Sequence, residues 1–174
     1  MPEIFRTRDV VIHFKGDAFP VAISPSLLAS GWPGCQGVQW SSALEDEFQV
    51  TCSDGIYGGF LLWGSDEQPD RLTGMQVQQL AYGYGILCVG GWLLSTSTYE
   101  KYTWDSRHGL GPANVEIPYA VGQRLVFSNR GWFTIEDEWT KVLDPRGANT
   151  FFVANVVQVP RPENGHYLVV QTSI

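Results

Sequence analysis

The sequence predicts an all-β fold, a compact barrel or sandwich of about ten to twelve short strands with minimal helix. Three observations lead there. The apolar runs are short and several alternate with polar residues at period two; Gly, Pro, Asn and Asp interrupt them at close intervals; and hardly any segment reads as helix. At 174 residues the chain has the size of one domain, 1–174, enough to remove roughly 70% of its unfolded surface from water. A sub-unit boundary is expected near 105–118, with 119–174 as a C-terminal β unit.

Residues 9–14 and 19–23 read as strands joined by Lys15-Gly16-Asp17 into a first hairpin. Ser24-Pro25-Ser26-Leu27-Leu28 suits one helical turn, and Gly31-Trp32-Pro33-Gly34 is loop. Across 47–53, Phe48, Val50 and Cys52 fall on one face and polar residues on the other, the pattern of a half-buried strand. Asp54-Gly55 then supplies a tight turn into a return strand over 56–63, with a bulge or close approach at Gly58-Gly59. Residues 64–74 form a polar loop, and 76–82 fits either strand or short helix. The run 86–94 is nearly all apolar with Gly90-Gly91 at its middle, predicting a buried strand bent at the glycines. Residues 97–104 alternate as a further strand, and 105–118 is the long loop. Residues 124–127 pair with 132–134 across Asn129-Arg130-Gly131, Gly131 taking the left-handed position. A brief helical turn over 136–141 and a turn at 144–147 precede the last strands, 151–159 and 167–171. Removing 167–174 is expected to expose the edge of 151–159.

A hydrophobic content of 44% against 17% charged residues marks a packed chain. The formal charge of −7, with no basic run, opposes a direct grip on nucleic acid. Cys35, Cys52 and Cys88 are odd in number and sit among apolar residues, so they read as buried reduced thiols. No apolar run approaches the ~20 residues of a membrane helix, and Met1-Pro-Glu-Ile-Phe-Arg lacks the layout of a secretion signal, which points to folding in a cytosol. His13, His108 and His166 have no partner at metal-ligand spacing. Asp105-Ser106-Arg107-His108 holds triad residue types without a nucleophile elbow, and Gly83-Tyr84-Gly85 lacks the third glycine of a dinucleotide loop. The expectation is therefore a protein that is not an enzyme, with no cofactor and no metal. The acidic clusters 45–47, 66–67 and 136–138, with Trp40, Trp63 and Trp139 close by in sequence, keep a carbohydrate-binding module as the alternative.

The closing third carries a recognisable order. Val121-Gly122-Gln123 leads into Leu125-Val126-Phe127-Ser128 and Asn129-Arg130-Gly131-Trp132-Phe133-Thr134; after an insert come Val153-Ala154-Asn155-Val156-Val157, Pro160 and Tyr167-Leu168-Val169-Val170. This segment, 119–174, resembles the end of small β-rich bacteriophage head proteins of the decoration, or cement, class. Residues 59–65 and 99–104 also resemble virion proteins. The resemblance implies a non-catalytic structural protein that binds and stabilises the head shell, or another head or tail structural protein. Its partners would be a major capsid protein and further copies of itself as a homo-oligomer, and its place the capsid surface after assembly in the host cytoplasm. Acidic charge fits the exterior better than the DNA-filled lumen. With seven Trp in the chain, the candidate assembly-interface residues are Trp32, Trp63, Trp92, Trp104, Trp132 and Trp139.

Overall fold

The computed structural model describes residues 10–41, 49–51, 58–62, 64–65, 83–128, 130–136 and 152–173. Among these residues the fold is all-β, with eleven strands: β1 (Val10–Phe14), β2 (Asp17–Ile23), β3 (Gln36–Ser41), β4 (Gln49–Thr51), β5 (Gly59–Leu61), β6 (Tyr84–Val89), β7 (Trp92–Thr96), β8 (Arg124–Phe127), β9 (Phe133–Ile135), β10 (Ala154–Gln158) and β11 (Leu168–Thr172). Among the described residues the named helices are α1 (Pro25–Ser30), α2 (Trp104–Arg107) and a 3-10 turn at Pro162–Asn164. In α1, Pro25 presets the first turn and the Ser24 hydroxyl accepts the Leu27 amide as an N-cap.

The strands divide into a six-stranded antiparallel sheet, β1-β7-β11-β10-β8-β9, and a closed five-stranded barrel, β2-β4-β3-β5-β6. The barrel's ring closes through β2 and β4, its parallel pair. β1 and β2 are strands as expected, but they do not form a hairpin with each other. β1 pairs with β7 in the sheet and β2 pairs with β6 in the barrel. The reason lies at a corner, where the Lys15 and Gly16 amides both donate to the Gly91 carbonyl, at 2.7 and 3.1 Å. A Cβ on Gly16 would stand 2.1 Å from the Val89 oxygen, and Gly90 takes φ +85°. Glycine lets the two backbones touch as both bend, so β1–β2 and β6–β7 run side by side from sheet into barrel. The predicted bend at Gly90-Gly91 is part of this corner.

The expected pairing of 47–53 with 56–63 also gives way. β3 lies between β4 and β5, with Trp40 opposite Val50 and Val38 opposite Gly59. The Asp54-Gly55 turn falls outside the described residues, as do 66–82 and 137–151 with the loop, strand-or-helix and turns expected there. Residues 97–104 are not a strand: Tyr99 and Tyr102 make isolated bridges to Phe133 and Glu116, and Trp104 opens α2 behind a Thr103 N-cap.

Strand pairing in the C-terminal third follows expectation. β8 and β9 form a hairpin with Phe127 opposite Phe133, and Gly131 sits at φ +78°. β10 and β11 pair antiparallel. β11, however, also pairs with β7, so the C-terminal strand is interior to the sheet and does not merely cover the edge of β10.

One core spans both layers. It combines Cys35, Phe60 and Cys88 of the barrel side with Trp92, Leu94, Phe127, Phe133, Leu168 and Val170 of the sheet side. The Phe60 and Trp92 rings meet edge to face at 6.0 Å, and a Cβ on Gly37 would lie 2.6 Å from the Phe127 ring. A second cluster of Val21, Ile23, Leu27, Trp32, Val38, Leu61 and Leu87 fills the barrel under α1. Cys35 and Cys88 are buried, and burial pushes the Cys88 thiol up to about 12. Cys52 lies outside the described residues.

Candidate functional site

Burial sorts four of the six candidate tryptophans. Trp32 is 5% exposed and Trp92 3%; both are core side chains that no partner reaches in the folded chain, which removes them from the assembly set. Trp104 and Trp132 are partly exposed. Trp104 packs its ring on His108, with centroids 3.6 Å apart, and Trp132 lies beneath the Arg130 guanidinium at 3.7 Å. Trp63 and Trp139 fall outside the described residues.

What sequence reasoning missed is the apolar character of the long loop. Leu110 is 75% exposed and Val121 70%, with Val115 and Tyr102 also out in solvent. Hydrophobic side chains on a loop without strand pattern were the available signal. The loop is nevertheless held in shape. The Ser106 hydroxyl donates to the Pro112 carbonyl and accepts the Val115 amide. Thr103 and Ile117 donate their amides to the carbonyls of Val115 and Lys101, so 101–103 and 115–117 run as a short antiparallel clasp.

A buried carboxylate anchors this clasp to the sheet. Phe133 donates its amide to the Thr98 carbonyl and Glu100 donates to the Phe133 carbonyl, fastening 98–100 along β9. Glu100 is thereby placed at 0% exposure. Its Oε1 accepts from Ser128 Oγ and Arg130 Nε, both at 2.8 Å, and its Oε2 from Arg130 Nη2 at 2.7 Å. Arg107 of α2 adds an ion pair at 3.0 Å. A charge removed from water survives only when it is fully paired and hydrogen-bonded, and this carboxylate is. The Tyr119 hydroxyl completes the anchor by donating to the Glu100 carbonyl at 2.5 Å.

Beside the clasp lies a pocket of about 480 Å³. Tyr99, Tyr102, Tyr119, Pro118 and Pro160 contribute rings to its lining, and Lys101, Glu116 and His166 contribute charge and polarity. Tyr99 and Tyr119 meet edge to face at 5.5 Å. The Tyr99 hydroxyl donates to the His166 carbonyl at 2.5 Å, so both of these rings are fixed by hydrogen bonds to backbone. Burial, and then the Glu116 charge, push the Tyr99 hydroxyl up to about 12. Burial, seconded by the Glu100 charge, pushes that of Tyr119 well above the ordinary tyrosine range.

Of the expected polar groups, His108 and His166 are exposed, and His166 sits on the pocket rim at φ +60°. His13 is on β1. Glu136 is exposed at the end of β9, while the rest of the three acidic clusters lies outside the described residues. Among the described residues, no three His, Cys, Asp or Glu side chains gather where a metal ion would be held, and no helix is long and apolar enough to cross a membrane. No family model, curated protein or solved structure matches the chain.

Proposed function

We propose that the protein is a non-catalytic structural protein of a bacteriophage virion, a decoration protein that binds the head shell through the loop borne on residues 102–121. The observation that carries this reading is the combination of exposed apolar tips, Leu110 and Val121 above all, with a loop pinned to the sheet by a buried carboxylate. Apolar surface offered on a preorganised loop forms an interface without the ordering cost that a floppy segment pays. Trp132 under Arg130, at the end of the β8–β9 hairpin, adds an aromatic anchor of the kind that carries interface energy. The sequence resemblance of 119–174 to phage head proteins motivates the same class. Its partners in this reading are a major capsid protein and other copies of the chain.

The test is sedimentation of purified protein with phage heads lacking their own decoration protein, alongside its mass in solution. Wild-type protein is expected to pellet with the shells and to be retained through washing. Leu110→Ser and Val121→Ser, which touch no core, are each expected to weaken retention by about tenfold, equivalent to ~1.4 kcal/mol. Protein that stays monomeric and in the supernatant overturns the proposal.

A further inference from the structure

We propose that the pocket bounded by Tyr99, Tyr102, Tyr119, Lys101, Glu116 and His166 binds a neutral sugar ring of an oligosaccharide. The inference rests on what the lining leaves available. Tyr99 and Tyr119 have their hydroxyls committed to the carbonyls of His166 and Glu100. These rings therefore line the pocket without a ready donor, Tyr99 itself being only 4% exposed.

Hydrogen-bonding capacity comes instead from an ammonium donor, Lys101, a carboxylate acceptor, Glu116, and the imidazole of His166, all lining the same space. Lys101 and Glu116 cancel in charge, so the pocket carries no strong preference for an ion of either sign. The complementary molecule has a flat C–H face, hydroxyls that both donate and accept, and no charge. A pyranose ring has all three. Tyr102, 39% exposed, provides an accessible ring on which the C–H face can stack. The volume, about 480 Å³, lies within the range of small-molecule sites. The Glu100 anchor beneath makes the floor rigid before any ligand arrives.

The experiment is an array of immobilised oligosaccharides built from neutral hexoses, deoxyhexoses and N-acetylhexosamines, with sialic and uronic acid oligosaccharides and a proline-rich peptide as separate arms. Calorimetry follows with the oligosaccharide best retained. The expected result is retention on neutral sugars, little changed between low and high salt because no net charge is exchanged. Tyr102→Ala and Glu116→Ala should each weaken it at least about tenfold, with unchanged melting temperatures. Leu110→Ser, outside the pocket, should bind as wild type. Absence of retention on every neutral sugar, retention unaffected by both pocket substitutions, or binding confined to the acidic sugars or the peptide overturns the proposal. Head binding is read separately, so either proposal can fail while the other stands.

Discussion

Three hydroxyl and thiol groups, Tyr99, Tyr119 and Cys88, are held in their protonated forms by burial, and this links the fold to alkaline pH. In the unfolded chain the thiol releases its proton around 9 and the tyrosines around 10, while Cys88 and Tyr99 in the fold hold theirs to about 12 and Tyr119 holds its own longer. Between those limits the folded chain binds more protons at these groups than the unfolded one, so their contribution to stability is fully present below pH 9 and drains away as pH rises. Thermal melts at a series of pH values should show a flat melting temperature up to about 9 and a fall beyond it. Cys88→Ala should delay the onset, and Tyr119→Phe should flatten the fall above pH 10 while lowering the plateau, because the Glu100 carbonyl loses its donor. A wild-type melting temperature that holds steady to pH 11 would contradict the assignment.

Gly131 shows how an element is committed by contacts outside itself. The hairpin loop between β8 and β9 is docked on the barrel: Gly37 donates its amide to the Gly131 carbonyl at 2.7 Å, and Gln36 Nε2 donates to the Arg130 carbonyl at 2.9 Å. A Cβ on Gly131 would stand 2.2 Å from the Gly37 oxygen, on top of a left-handed φ. Gly122 has a similar φ with open space around it. In urea titrations Gly122→Ala should therefore cost only about 1 kcal/mol of backbone strain, and Gly131→Ala about 3 kcal/mol or more. Equal costs would mean that the loop does not bear on the barrel. The hairpin itself was legible because alternation and a three-residue turn are local, as was the Ser24-Pro25 helix start. β3 was not: Gln36-Gly37-Val38-Gln39-Trp40-Ser41 has little apolar alternation, and its glycine answers to the Phe127 ring of the other sheet. The first two hairpins were misassigned for a related reason, since neighbours in sequence were separated in space by a bend or by β3. The pocket was hidden because Lys101, Glu116 and His166 each look like ordinary loop charge until 101–103 and 115–117 clasp. Among the tryptophans, residue type alone did not separate Trp32 and Trp92 in the core from Trp104 and Trp132 nearer the surface.

At the scale of the whole molecule, β11 is the strand on which the sheet depends. It stands between β10 and β7, and Leu168, Val169 and Val170 are each 0% exposed. Burying each is worth about 1.5–3 kcal/mol, so their joint loss is comparable to the ~5–15 kcal/mol that stabilises a typical domain. A chain ending at His166 should consequently fail to fold at all, read as loss of the near-ultraviolet signal of its aromatic side chains; a folded monomer that merely ceases to assemble would show that β11 is peripheral. The corner where Lys15-Gly16 meets Gly90-Gly91 carries a different implication. Side chains alternate along a strand, so adding or removing one residue turns over all that follow. Because β1–β2 and β6–β7 each serve the sheet on one side of the corner and the barrel on the other, a length change there inverts the inside and outside of one layer relative to its neighbour. Both layers are thus locked to a common count of residues, and variation in chain length is tolerated only in loops that leave this corner untouched.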